Sequence, residues 1–125
     1  MFENKRKLLE LLIKLLFILV VLVALFYSAS RYIFPSITVV NNSQKTIEQA
    51  SIALPSSRLD FGTINSSASN TLHYYLSQSD GEYRYKFTLS DSTVIEGRCG
   101  YVTHNQIHKR VEISIDNENV VTCLE

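Results

Sequence analysis

Cys99 and Cys123 are the only cysteines in the chain, and disulfide formation is the chemistry that they best support. Each lies late in a predicted strand, on a face shared with Ile95, Gly97 and Tyr101 in one case and with Val121 in the other. Both thiols should therefore point toward a core. In an oxidising compartment we expect them to pair, which would contribute about 3 kcal/mol in the chain-entropy model. In a reducing compartment they would be two buried free thiols.

Histidine and carboxylate side chains are the other groups that could do chemistry. His104 and His108 stand four apart, but the residues between them are typical of a loop, and His73 lies elsewhere. Because metal ligands must converge at about 2 Å from the ion, we expect no metal site and no cofactor. The carboxylates fall at turns or at polar strand positions, and no G-x-S-x-G motif or phosphate-binding loop occurs. We therefore predict no catalytic residue and a protein that is not an enzyme.

Five tyrosines are concentrated in one part of the chain, at Tyr74, Tyr75, Tyr83, Tyr85 and Tyr101. Tyrosine is common in protein interfaces because it brings a large contact area at a small cost in side-chain entropy. Adjacent Tyr74 and Tyr75 should point to opposite faces of an extended strand, so at least one should reach the surface. We predict that these five residues are candidates for contact with a protein partner. The alternative is partial burial, with the hydroxyl groups at the rim of the core.

A long apolar stretch predicts the first structural element. From Leu11 to Ser30 the chain reads LLIKLLFILVVLVALFYSAS, with one charged residue. Twenty helical residues cover about 30 Å, the thickness of the hydrocarbon core of a bilayer. We predict a transmembrane helix at residues 8–34, which Pro35 ends. The residues suited to anchoring it at the two membrane interfaces are Lys14, Tyr27, Arg31 and Tyr32.

The charge at the N-terminus predicts an orientation for this helix. Residues 1–7 contain three consecutive basic side chains, which the positive-inside rule keeps in the cytoplasm. We therefore expect a single-pass signal-anchor in the inner membrane, with the C-terminal domain periplasmic or extracytoplasmic. Small residues at positions 28–30 leave open the alternative of a signal peptide cleaved after Ser30. Both alternatives export the domain.

Residues 35–125 are predicted to form an all-β domain. Apolar and polar residues alternate most clearly from Tyr83 to Leu89, and also from Gln49 to Leu54 and from Arg110 to Asp116. Turn clusters rich in Asn, Ser and Asp recur at about the 8–12-residue spacing that is typical of sandwiches and barrels. We expect about seven or eight short antiparallel strands in a small β-sandwich or barrel-like fold, without being able to assign the strand order.

Charge is unevenly distributed, although the chain carries 12 basic and 12 acidic residues. Residues 1–31 have a net charge of +3, and residues 32–125, with seven basic and ten acidic groups, have −3. The exported domain thus has no electrostatic reason to bind nucleic acid.

These features together favour a membrane-anchored, non-enzymatic protein-binding module. Its protein partner would lie in the periplasm or at the membrane, and the module could be an accessory subunit of an envelope complex. The alternatives are an immunity protein that neutralises a periplasm-acting toxin, and a small hydrolase or ligand-binding protein. The sequence leaves the oligomeric state open.

Overall fold

The computed structural model describes all 125 residues, Met1–Glu125, and the chain divides into two units, Met1–Ile33 and Phe34–Glu125. The first unit is a single helix, α1 (Phe2–Ile33). It begins earlier than the predicted residue 8 because residues 2–7 are rich in the good helix formers Glu, Lys and Arg. It ends before Pro35, since a proline disfavours the helical conformation of the residue that precedes it.

Helix α1 is long and apolar enough to span a membrane. Its 32 residues rise about 1.5 Å each, which gives a length of about 48 Å against a hydrocarbon core of about 30 Å. None of its residues is buried. The helix is therefore not the core helix of a globular domain.

The second unit contains eight strands. Their bounds are β1 (Ser36–Asn41), β2 (Ile47–Ala53), β3 (Arg58–Ile64), β4 (Ser69–His73), β5 (Gly81–Leu89), β6 (Val94–Val102), β7 (Arg110–Ile115) and β8 (Val121–Leu124). They form two four-stranded sheets, sheet A in the order β4-β1-β7-β8 and sheet B in the order β3-β2-β5-β6. Side chains from both sheets form one apolar core. The fold is thus two sheets around a core and not a closed barrel.

One strand pair differs from the antiparallel arrangement predicted from the sequence. Strands β1 and β7 run parallel, from Ser36 opposite Arg110 to Asn41 opposite Ile115, whereas all other pairs are antiparallel. Parallel neighbours require a long crossover connection, and here that connection runs through β2 to β6. Alternation within a strand says nothing about the direction of its neighbour, so the sequence pattern could not predict this pair.

The alternation predicted for the two clearest strands is confirmed. In β5, Tyr83, Phe87 and Leu89 are fully buried, while Arg84 and Lys86 between them are exposed. The buried side chains of β7 are Val111, Ile113 and Ile115. Burying a large apolar side chain is worth about 1.5–3 kcal/mol. These two strands, one from each sheet, therefore contribute strongly to the cohesion of the sandwich.

Strand β6 contains an extra residue at Gly100. Tyr83 lies opposite Cys99, but two residues earlier in β5 the partner is Val102. Gly100 has a φ of +64°, the left-handed conformation that glycine adopts in such bulges. As a result Val102 is buried and Tyr101 is 53% exposed. The prediction that Tyr101 shares the inward face of Cys99 was therefore wrong, because it assumed an uninterrupted alternation.

We expect Gly100→Ala to lower the free energy of unfolding by more than Gly62→Ala does. Both glycines have positive φ angles, +64° and +67°, at which a side chain costs about 1–2 kcal/mol. A Cβ atom at Gly100 would also lie 2.7 Å from a Glu125 oxygen and 3.0 Å from the Tyr83 ring, whereas one at Gly62 meets nothing within 4 Å. Urea unfolding of the detergent-solubilised chain measures both losses. Equal losses would show that the surroundings of Gly100 do not constrain it.

Candidate partner-binding surface

The disulfide bond predicted from the sequence is present. Cys99 in β6 is bonded to Cys123 in β8, with the Cα atoms 6.1 Å apart. β6 and β8 are edge strands of different sheets and lie next to each other. Both cysteines are half-buried against the core. The bond therefore joins the two sheets along one side of the sandwich and holds the short strand β8 in place.

Two of the five tyrosines lie in the core. Tyr74 and Tyr83 are buried, their hydroxyl oxygens are 2.7 Å apart, and their rings meet edge to face. Because each hydroxyl group satisfies the other, both can be buried without an unpaired polar atom. Desolvation raises the pKa of both phenols. Tyr74 and Tyr83 therefore do not belong to an exposed partner-binding surface, although the sequence analysis included them.

The other three tyrosines are at least partly accessible. Tyr75 is 75% exposed, so the two adjacent tyrosines do face opposite environments. Tyr85 is half-buried: its ring stacks on Phe87 at 5.5 Å, and its hydroxyl group occupies the space that a Cβ atom would take at Gly97. Tyr101 is exposed and lines one groove, and Tyr85 lines another. Of the predicted residues, Tyr101 is thus the more exposed of the two that line these grooves.

The outer face of sheet B carries cations in a row across the strands. The register places Arg58 of β3, Ala53 of β2, Arg84 of β5 and Arg98 of β6 opposite one another. We call Arg58, Arg84 and Arg98 the arginine row. The short side chain of Ala53 interrupts the row, and a groove of about 480 Å³ is lined by all four residues. A second groove, of about 450 Å³, shares Ala53, Arg84 and Arg98 and adds Tyr101.

None of the three arginines in the row forms an ion pair within the domain. Arg84 and Arg98 stand directly opposite each other, and neither guanidinium group forms a hydrogen bond or an ion pair. Like charges in this position destabilise a sheet. In the neighbouring row the equivalent pair is Lys86 and Glu96, whose charged atoms are 3.8 Å apart. Arg58 donates a hydrogen bond of 3.2 Å to the hydroxyl group of a buried serine.

The backbone of Tyr101 is held by a polar cluster that the sequence analysis did not identify. The Lys109 side chain is only 8% exposed, and its Nζ lies 3.3 Å from a Glu125 carboxylate oxygen and 5.3 Å from the centre of the Tyr83 ring. Glu125 accepts a 2.9 Å hydrogen bond from the N–H of Tyr101, and Lys109 donates to the Tyr101 carbonyl oxygen. The cluster therefore fixes the residue that presents its side chain to the second groove. No spacing in the sequence signals these contacts.

The histidines lie in or next to loops. The backbone N–H of His104 donates to the Asp80 carboxylate at 2.9 Å, and its ring Nδ1 is 2.8 Å from the carbonyl oxygen of Gln78. His73 ends β4, and His108 lies in the loop that precedes β7. No group of three or more His, Cys, Asp or Glu side chains is placed to hold a metal ion. His104 thus helps to order the loop whose Asp80 lines the second groove.

Comparisons with known proteins provide a fold relative and no family. No family model and no curated protein matches the chain. A solved structure, described as the NMR structure of the protein from Eubacterium rectale, is similar with a TM-score of 0.53 and 15% sequence identity. The similarity covers 73% of this chain and 86% of that chain. At this identity it shows a shared fold and nothing about activity or partners.

Removing the disulfide bond should destabilise the domain by about 3 kcal/mol, because the unfolded chain regains the entropy of the open loop. The double variant Cys99→Ser/Cys123→Ser tests this by urea unfolding, since it removes the bond without leaving a free thiol. Alkylation of the unreduced wild-type chain should add no mass. A double variant with the wild-type unfolding midpoint would show that the bond contributes nothing to stability.

Acid should weaken the cluster around Glu125. The hydrogen bond from the Tyr101 N–H and the Lys109 ammonium group lower the pKa of Glu125 from its ordinary value of 4.5. A lowered pKa in the folded state means that the stabilisation is complete above that ordinary value and is lost as the pH falls below it. Glu125→Gln should therefore have a lower free energy of unfolding than the wild type at pH 7. Its free energy of unfolding should also fall less than that of the wild type as the pH is lowered. Glu118→Gln, which removes an exposed carboxylate with no ion pair, should change neither. If the free energy of unfolding depended on pH in the same way for both variants, this account would be contradicted.

Proposed function

We propose that the protein is a membrane-anchored, non-enzymatic binding module that presents its β-domain outside the cytoplasm to a protein partner, as an accessory subunit of an envelope complex. The observation that carries the proposal is the outer face of sheet B, where the arginine row and Tyr101 line two adjoining grooves. Arginine and tyrosine are among the residues that contribute most to binding in protein interfaces. Sheet B thus offers a surface of the composition that protein partners use.

The anchor is supported by the exposed apolar side chains of α1. None of its residues is buried, and a large exposed apolar surface requires a membrane or another protein to cover it. Two separate features support an orientation with the N-terminus of α1 in the cytoplasm and the β-domain outside it. The basic N-terminus favours the cytoplasm, and the Cys99–Cys123 bond favours an oxidising compartment for the domain.

The lining of the grooves favours binding over hydrolysis. A hydrolase with a serine nucleophile places that serine next to a base. The serine of the first groove, Ser51, is 5% exposed and accepts a hydrogen bond from Arg58, a cation that cannot act as a base. No histidine lines either groove. These contacts support a surface that holds a partner and does not transform it.

Site-specific photocrosslinking of the full-length chain in its native membrane tests the proposal. With p-benzoylphenylalanine in place of Tyr101, irradiation should give one discrete crosslinked protein that mass spectrometry identifies. The same amino acid in place of Val120 is the matched control, because Val120 is 51% exposed and lies in the turn between β7 and β8. An envelope protein crosslinked only from position 101 supports the proposal. No crosslinked protein from that position, or the same products from both positions, contradicts it.

A further inference from the structure

The arginine row is about as long as a five-residue extended peptide. Neighbouring strands lie about 5 Å apart, so the three strand spacings from Arg58 to Arg98 cover about 14 Å. In an extended chain, alternate side chains recur about every 7 Å, and three of them also cover about 14 Å. Three carboxylates on alternate residues, laid across the strands of sheet B, would thus face Arg58 and Arg98 at the two ends of the row. The middle carboxylate would lie between Ala53 and Arg84, about 2 Å from the position of Arg84, which a long arginine side chain can reach.

The chemistry of the row favours carboxylates as its ligands. Guanidinium groups bind carboxylates through two parallel hydrogen bonds, and the free guanidinium groups of Arg84 and Arg98 have all their donors available. An anion between them would also remove their mutual repulsion. Ala53 leaves room in the row for the backbone of a bound segment. The row is therefore a site that gains from binding negative charge.

The surroundings of the row favour a protein segment over a phosphate-rich surface. Acidic side chains flank it on both sides, with Glu82 in the second groove and Glu96 in the neighbouring row. The domain as a whole has a net charge of −3, so a broad anionic membrane would be repelled beyond the row. A short segment can bind the cations alone. Tyr101, at the rim of the second groove, adds an apolar contact that a peptide can use.

We propose that the arginine row, together with Tyr101, is the docking site for an extended acidic segment of the partner protein, with carboxylates on alternate residues. This inference rests on the proposed function, since it names the chemistry of the partner that the surface of sheet B binds. The carboxylates pair with Arg58, Arg84 and Arg98, and the segment crosses the strands of the sheet.

A peptide titration with the full-length chain in neutral nanodiscs tests the site. A fluorescent Glu-Ser-Glu-Ser-Glu peptide should bind, with an affinity that falls as salt is added, and the Gln-Ser-Gln-Ser-Gln peptide should not bind. Arg98→Gln should weaken binding by about fivefold, because an exposed charge pair contributes at most about 1 kcal/mol. Arg98→Lys should recover only part of the loss, because lysine keeps the charge but not the two-pronged geometry.

Lys45→Gln is the matched control, since it removes one exposed positive charge from a residue that lines neither groove. It should change the affinity by less than about twofold, because Lys45 already pairs with Asp91 at 2.6 Å. Arg98→Gln should keep or slightly raise the urea midpoint in the absence of peptide, because it removes the repulsion from Arg84. Weaker binding by a variant of undiminished stability cannot result from misfolding. Equal losses from Arg98→Gln and Lys45→Gln, or equal binding of both peptides, overturn the inference.

Two further measurements separate this inference from other outcomes. Vesicles of phosphatidylglycerol and phosphatidylcholine in equal parts should bind the wild-type chain and Arg98→Gln, both held in neutral nanodiscs, equally strongly, because both have the same basic N-terminus. Weaker binding by Arg98→Gln would overturn the inference in favour of a lipid headgroup. The crosslink from position 101 reports the proposed function separately. If that crosslink forms but Arg98→Gln leaves its yield unchanged and the acidic peptide does not bind, the acidic segment is refuted while the binding module stands. If no crosslink forms, the binding module itself fails.

Discussion

The left-handed conformation of Gly100 is the constraint on which the rest of the domain depends. One extra residue at this point reverses the phase of β6, so that Cys99 and Val102 both face inward although three positions separate them. The inward Cys99 reaches Cys123 and joins the two sheets. The same reversal turns Tyr101 outward, onto the face that carries the arginine row. A bulge thus links the closure of the core to the composition of the outer surface, as bulges next to functional sites often do.

A domain of about 90 residues has a small core. Its stability therefore depends on a hydrogen-bond partner for every polar group that it buries. Asn41 shows how this is done. Its buried side chain donates to the carbonyl oxygens of Lys45 and Ile64 and accepts from Ser43, which ties the turn after β1 to the end of β3. No buried side-chain nitrogen or oxygen atom lacks a partner. An unpaired buried donor or acceptor would cost about 1–3 kcal/mol, so this full pairing matters in a core of this size.

The alternation of apolar and polar residues was enough to predict the strands and the inward face of β5, and a continuous apolar stretch was enough to predict the N-terminal helix. These features depend on neighbours in sequence. The parallel β1–β7 pair and the bulge depend on register between strands, which alternation does not encode. The burial of Tyr74 and Tyr83 could not be predicted from the sequence, because it depends on the hydrogen bond between their two hydroxyl groups. The arginine row escaped prediction for the same reason: Arg58, Arg84 and Arg98 lie far apart in sequence and become neighbours only through three strand pairings.

Arg84 and Arg98 repel each other across β5 and β6, and this loss of stability is not required by the fold. One row away, the same two strands carry Lys86 and Glu96, so β5 and β6 can accommodate a complementary pair in this geometry. Departures of this kind from local consistency are expected where a surface serves a partner. Exposed charge pairs contribute at most about 1 kcal/mol each, so three of them give weak docking. Confinement to one membrane raises the effective concentration of a tethered partner and can turn weak docking into stable association. In the proposed function, α1 and the arginine row are therefore complementary, because the surface provides selectivity for an acidic segment and the anchor provides the concentration at which weak contacts suffice.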